Sequence, residues 1–230
     1  MTTLAQRIDN CLARLGQEDF VLAFLELARL TGAGQVMVFS YEGKTASCLI
    51  SRNFSHSALG EELAGLYLDG WFRQDPLWPE ILAQPPGEVR LRQVGRRAGG
   101  MSEEYRRIFF DAPGLAGKQA VLACGERCRL IVNLYRPAEG GERGEPGLEP
   151  LLGRLACLHF DRVTGFAFPP PLAALSARER EVCLGILAGK KTEAIAGEMG
   201  VAPSSVVTFR RRAYAKLGIS SRGALFQLCR

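Results

Sequence analysis

Three consecutive prolines, Pro169-Pro170-Pro171, constrain this 230-residue chain more than any other feature. Each fixes φ near −65° and lacks a backbone N–H, so neither a continuous helix nor a paired strand runs through them. The stretch Phe168-Pro169-Pro170-Pro171-Leu172 therefore reads as a stiff spacer between two parts of the molecule. The charge changes at the same place. Beyond Leu172 ten Lys and Arg face four Glu, a net of +6, whereas the first 172 residues hold 19 basic against 20 acidic groups. A near-neutral body joined to a small basic unit points to a polyanion as the partner of the small unit. The expected division is a larger regulatory unit over residues 1–168, a proline linker over 169–173 and a basic unit over 174–230.

Hydrophobic residues make up 47% and charged residues 23%, the balance of a folded protein. No run approaches the roughly 18–20 apolar residues of a membrane-spanning helix. Met1-Thr2-Thr3-Leu4-Ala5-Gln6-Arg7 lacks a basic region followed by an apolar core, so a cytoplasmic protein without membrane contact is expected. The seven cysteines, at 11, 48, 124, 128, 157, 183 and 229, are odd in number and scattered, which suits reduced thiols. Cys124 and Cys128 flank a Gly-containing turn between two apolar runs, and a hairpin there outweighs a redox pair. His56 and His159 lie far from both in sequence, so neither a zinc site nor any other metal or cofactor is expected.

Apolar residues recur at helical spacing over Thr3–Leu15 and Glu18–Leu30. Gln35–Tyr41 and Thr45–Arg52 read as a hairpin around Glu42-Gly43-Lys44. A helix follows over Leu59–Leu68, then a second over Trp71–Leu82 interrupted by Pro76 and Pro79. Arg90–Val94 reads as a short strand, and Ser102 caps a helix running through Phe109. Ala120–Cys124 and Arg129–Tyr135 form a second hairpin, Ala138–Gly147 a loop, and Leu148–Val163 a helix. Hairpins interleaved with helices imply an α+β fold, with an antiparallel sheet covered by helices in a sensor-like unit.

In the basic unit, Ser176-Ala177-Arg178-Glu179 is a capping box and Gly189 the left-handed stop of the first helix. Thr192 is positioned to cap a second, short helix ending at Gly200, and Pro203-Ser204-Ser205 starts a third. Val206, Phe209, Ala213 and Leu217 share one side of that helix. Val207, Thr208, Arg211 and Arg212 share the other, within the run Arg210-Arg211-Arg212. A helix with such a face fits the DNA major groove, where guanidinium groups meet phosphates or guanine edges. The plain alternative, a solvated face on a core helix, loses weight because the whole capped three-helix frame is present.

Leu175-Ser176-Ala177-Arg178-Glu179-Arg180-Glu181-Val182, Gly189, Ile195-Ala196, Val201, Ser205-Val206, Lys216-Leu217-Gly218-Ile219 and Ser221-Arg222 resemble the LuxR-type DNA-binding domain over essentially all of Leu175–Arg230. The resemblance implies an all-α four-helix module that dimerises through its last helix, about Ser221–Cys229. It implies a recognition helix at about Ser204–Leu217, with Val207, Thr208 and Arg211 on the base-reading face. Thr192, Ser204, Ser205, Arg212 and Lys216 are the candidates for phosphate contact. Val207 stands where Lys is usual, Phe209 where His is usual and Cys183 where Leu is usual, and the first of these changes removes a charge from the reading face.

In the larger unit, the segment Tyr67–Trp78 holds the candidate ligand-binding residues Tyr67, Trp71, Asp75 and Trp78. Aromatics with one carboxylate line small-molecule pockets, although core packing around an Asp-Pro turn explains the same residues. Asp75-Pro76 resembles the pair of the LuxR autoinducer-binding domain, whose Asp accepts from an acyl-homoserine lactone amide. The Trp and Tyr of that pattern would fall at Glu62 and Leu66, which do not match. Ser102–Arg107 and Leu134–Arg136 resemble more closely the orphan LuxR-type regulators with GAF/PAS-like sensor domains.

Other classes lack their residues. There is no Gly-rich phosphate loop after a strand, no Ser nucleophile elbow and no metal-spaced His/Cys set, and Asp75 with His56 is the sole acid–base pairing to consider. A phosphorylated receiver would need an acidic pair after its first strand and a strand-terminal Asp near residue 55, both absent. The sequence thus predicts a non-enzymatic transcriptional regulator, a homodimer on a two-fold symmetric double-stranded operator, with RNA polymerase and a small-molecule signal as further partners. The alternative is a ligand-independent regulator controlled by a protein partner through the larger unit.

Overall fold

The computed structural model describes residues 2–54, 57–95, 99–137, 144–163 and 169–229. His56, Phe168 and most of the Ala138–Gly147 loop lie outside these. The chain opens with α1 (Leu4–Ala13), held by a capping box between Thr3 and Gln6, and α2 (Phe20–Ala28), which tightens into a 3-10 turn over Arg29–Thr31. β1 (Gln35–Glu42) and β2 (Thr45–Asn53) form the first hairpin, followed by α3 (Ser57–Leu68). The helix expected over Trp71–Leu82 is broken at Asp75-Pro76 into a 3-10 turn (Trp71–Gln74) and α4 (Trp78–Ala83), because the residue before a proline is pushed out of the helical region.

β3 (Val89–Gly95) and α5 (Glu103–Arg106) follow, with Ser102 Oγ accepting from the Tyr105 N–H at 3.1 Å. The helix expected through Phe109 changes there to a π turn over Arg107–Asp111. β4 (Leu115–Cys124) and β5 (Arg129–Pro137) make the second hairpin, and α6 (Leu148–Val163) has the predicted bounds.

The five strands form one antiparallel sheet in the order β2-β1-β5-β4-β3. Strand alternation divides its side chains between two cores. Val36, Val38, Val121, Ala123, Leu130 and Val132 pack with Phe20, Phe24 and Leu27 of α2 and with Leu152, Leu155 and Phe160 of α6. Met37, Phe39, Tyr41, Ala120, Leu122, Ile131 and Tyr135 face the other way, under Leu63, Ala64 and Tyr67 of α3, Ile81 of α4 and Phe109.

The proline run is not the extended spacer that its composition suggests. Pro170–Ala174 is a 3-10 turn, with Leu172 and Leu175 buried, and it packs on β2. Prolines suit the first turn of a helix, where no N–H acceptor is required. The basic unit follows as α7 (Ala177–Leu187), α8 (Thr192–Met199), α9 (Pro203–Leu217) and α10 (Arg222–Leu228). Gly189, Gly200 and Gly218 close α7, α8 and α9 at positive φ. One expectation fails: Lys191, without a side-chain bond, is the N-cap of α8, and Thr192 is already its first helical residue.

This unit rests on the sheet. Arg52 Nη1 on β2 donates to the Ala215 carbonyl at 2.9 Å, and α10 packs against α3 and α7. Gly218 is needed twice over, since its φ is +69° and any Cβ there would run into the Ser51 carbonyl.

On α6, buried His159 stacks on the Phe20 ring at 3.9 Å, and its Nδ1 accepts from the Gly16 N–H at 3.1 Å. Burial, followed by the Arg162 charge, pushes its pKa down to about 4. The unfolded imidazole titrates near 6.5, so below that pH the unfolded chain binds more protons than the folded one. Stability is then lost as pH falls toward 4, by up to about 1.4 kcal/mol per pH unit. His159→Asn, which keeps an acceptor for Gly16, should flatten the decline in urea midpoint between pH 7 and pH 5. An unchanged slope would assign the pH dependence to other groups.

Candidate nucleic-acid interface and sensor core

The buried stripe of α9, Val206, Ala213 and Leu217, packs on Val182, Cys183 and Ile186 of α7 and on Ile195, Ala196 and Met199 of α8. Helical geometry turns Ser204, Val207, Arg211 and Arg212 outward, and Val207 is 44% exposed. Thr192, Ser205, Thr208 and Arg210 are half-buried at the edge of the same surface. Thr208 Oγ1 donates to the Ser204 carbonyl at 3.0 Å, leaving its lone pairs for a donor. Among the described residues neither Arg211 nor Arg212 has an ion-pair partner. Two adjacent guanidinium groups on the exposed face of a helix form a surface suited to anions.

Lys216 differs from the other candidates. Its Nζ lies 2.7 Å from Glu179 Oε2, with both side chains largely buried, so it ties α9 to the first turn of α7. Burial pushes the Glu179 carboxyl up, but Lys216 and the capping N–H of Ser176 outweigh it and hold the group below the usual range.

In the larger unit the structure brings Tyr67 and Asp75 together. Asp75 Oδ2 accepts from Lys118 Nζ at 2.8 Å, Tyr105 Oη at 2.9 Å and Tyr67 Oη at 3.1 Å, while Oδ1 accepts from the Leu77 N–H at 2.9 Å. Tyr41 Oη lies 2.7 Å from Tyr67 Oη. The Lys118 and Asp75 side chains are 1% and 0% exposed. Burial alone raises the Asp75 carboxyl, but the Lys118 ammonium and these bonds outweigh it and hold it down. Burial, reinforced by the Asp75 charge, pushes the Tyr67 and Tyr105 hydroxyls well up, so both remain donors.

Trp71 and Trp78 do not reach the carboxylate. They pack edge-on against Phe109 and Phe72, and Trp78 Nε1 is buried without a partner among the described residues. Sequence reasoning missed Lys118, Tyr41 and Tyr105. The missed signal is Lys118 in register with Ala120 and Leu122, an ammonium on the inward face of β4. Among the described residues, the gap bounded by Met37, Phe39, Leu63, Tyr67, Phe109 and Tyr135 is too small for a water molecule. A cleft of about 420 Å³ lies instead at the surface, lined by Lys44, Asp69, Arg73 and, from α10, Gln227.

The second hairpin is closed as expected, but the thiol contact is a different one. Cys128 Sγ lies 3.6 Å from Cys157 Sγ on α6, and Asp161 accepts the N–H groups of Glu126, Arg127 and Cys128.

A helix-covered sheet carrying a four-helix unit with an exposed basic third helix is the layout of a two-part helix-turn-helix protein. The description "Bacterial regulatory proteins, luxR family" fits residues 173–229. A helix-turn-helix-type transcriptional regulator from the exeN 3' region of Aeromonas salmonicida is 43% identical, over 63% of this chain and 86% of its own length. The chain belongs to the luxR family of bacterial regulatory proteins. The transcriptional regulatory protein NarL of Mycobacterium tuberculosis is 53% identical over 55 residues, 24% of this chain, and the match spans about a quarter (26%) of NarL. SdiA in complex with octanoyl-rac-glycerol overlaps 96% of this chain and 93% of its own, at a TM-score of 0.46 and 16% identity.

Asn133 on β5 pairs with Met37 and Ala120, so it lies on the same sheet face as Lys118; it is fully buried, and neither side-chain amide atom finds a partner among the described residues. Asn133→Val should raise the free energy of unfolding in urea by about 1–2 kcal/mol, by removing an unpaired buried amide from a strand. A loss of the same size would show that the amide is paired in solution.

Proposed function

We propose that this protein is a transcriptional regulator that binds specific double-stranded DNA through α9. The exposed Val207, Arg211 and Arg212 face, on a helix fixed by α7 and α8 in a chain of the luxR family, carries the reading. Val207, Thr208 and Arg211 read base edges; Thr192, Ser204, Ser205 and Arg212 meet phosphates, which position the helix without reading sequence. Lys216 contributes by fixing α9 on Glu179. The regulator acts as a homodimer on a two-fold symmetric operator, joined through α10, whose Phe226 stays exposed. Contact with RNA polymerase and a cytoplasmic location belong to the same proposal. No helix among the described residues is long and apolar enough to cross a membrane.

Residues 1–168 form the regulatory unit of this proposal and residues 174–230 the DNA-binding unit. Tyr67, Trp71, Asp75 and Trp78 are the residues that would meet a small-molecule signal, the two tryptophans from their packing on Phe109 and Phe72. That Asp75 is already held by Lys118, Tyr67 and Tyr105 favours a second reading, control through a protein partner on the outer surface of the regulatory unit.

Fluorescence anisotropy with a selected operator and with random duplex DNA tests the helix. Arg211→Ala should cost about 1–3 kcal/mol on the operator and relax preference at one base position, whereas Arg212→Ala should weaken all sequences alike. Log affinity should fall linearly with log salt, by about 0.9 per phosphate neutralised. Equal losses on operator and random DNA for Arg211→Ala would remove it from the reading face.

A further inference from the structure

In the signal site proposed above, the acceptor oxygen Asp75 Oδ2 is already taken up by the protein's own donors. Asp75 Oδ2 receives three donors, Lys118 Nζ, Tyr105 Oη and Tyr67 Oη, while Oδ1 accepts the Leu77 N–H. Lys118 enters from the sheet, in register with Tyr135, and its ammonium lies 5.9 Å from the centre of that ring. The tyrosines close in from β1, α3 and α5. Buried lysines are rare because the charge must be matched inside the protein, and here the match is complete at 2.8 Å. The neighbouring gap among Met37, Phe39, Leu63, Tyr67, Phe109 and Tyr135 holds no water-sized volume.

We propose that Lys118 is a built-in occupant of the signal site. Its ammonium stands where the donor of a diffusible ligand would stand, so the regulatory unit folds, and the whole chain reaches its DNA-binding form, without a small molecule. This rests on the regulator reading above and specifies how its regulatory unit works. A neutral N-acyl amide or lactone reaches Oδ2 only by displacing Lys118 or a tyrosine hydroxyl, so such ligands leave the folded chain unchanged. The chemistry that fits is a primary ammonium on a short alkyl stem. If the side chain is cut back to Cβ, n-propylammonium has the atoms that are missing.

The test uses the full chain, purified from a host that makes no acyl-homoserine lactone. The wild type should melt in a cooperative transition, and saturating acyl-homoserine lactones of short and long chain should leave its melting temperature and DNA affinity unchanged. Lys118→Ala should melt about 10 °C lower, because it leaves Asp75 buried and uncompensated. Adding n-propylammonium chloride should restore much of that loss saturably, while n-propanol, or sodium chloride at equal ionic strength, should not. A lactone that raises the wild-type melting temperature by several degrees would overturn the proposal. So would a wild type that is insoluble without a lactone, or a folded Lys118→Ala chain indifferent to n-propylammonium. If Lys118→Ala does not fold, the wild-type arms decide alone. A wild type that binds no duplex DNA even at low salt would defeat the regulator reading instead, while the melting arms would still report on Lys118.

Discussion

One buried ion pair fixes the geometry of the larger unit. Asp75 sits at the proline break between the 3-10 turn and α4, Lys118 comes from β4, Tyr67 from α3, Tyr105 from α5 and Tyr41 from β1. A single carboxylate thus ties the proline break to β4, α3 and α5, with β1 joined through the Tyr41–Tyr67 contact. Two opposite charges in a dry interior gain much from each other but forfeit their hydration, so the net contribution of such a pair is modest. Its consequence is geometric. Once the pair forms, the helices cannot shift over the sheet without stranding a charge, and the face carrying Met37, Phe39 and Tyr135 stays filled with the protein's own side chains.

The second unit depends on local devices. The Ser176–Glu179 capping box starts α7, Lys216 reaches back to the same Glu179, and left-handed glycines end α7, α8 and α9. The result is a rigid frame in which α9 is supported from behind and open in front. The contacts of Arg52 with Ala215 and of Ser51 with Gly218 place this frame directly on β2, so the sheet that encloses Lys118 also carries the basic helix. β2 and α3 thus touch α9 and α10 directly.

Much of this was legible in the sequence. Strand alternation found both hairpins, and the capping box, the glycine stops and Pro203 found the first three helices of the basic unit, because those signals are local; the fourth came from the family resemblance. The exposed face of α9 was readable from 3.6-residue periodicity alone. What was hidden depends on tertiary placement. Lys118 sits 43 residues from Asp75, and only the register of β4 reveals that it points inward. Lys216 looked like a free cation until α9 met Glu179. The prolines looked like a spacer because composition reports stiffness and not what the turn packs on; buried Leu172 supplied the reason it folds back. Cys128 lies beside Cys157 rather than Cys124, since the hairpin aims its thiol at α6.

The central claim is that Asp75 and Lys118 act as one unit that fills the interior. A double-mutant cycle in urea at pH 7, with Asp75→Asn, Lys118→Met and the two combined, measures it most directly. The account predicts that each single change costs about 3–5 kcal/mol and that the double change costs well under their sum, a coupling of about 2–3 kcal/mol. Losses that add to within about 0.5 kcal/mol would contradict it, because two groups that do not stabilise one another cannot hold that space closed.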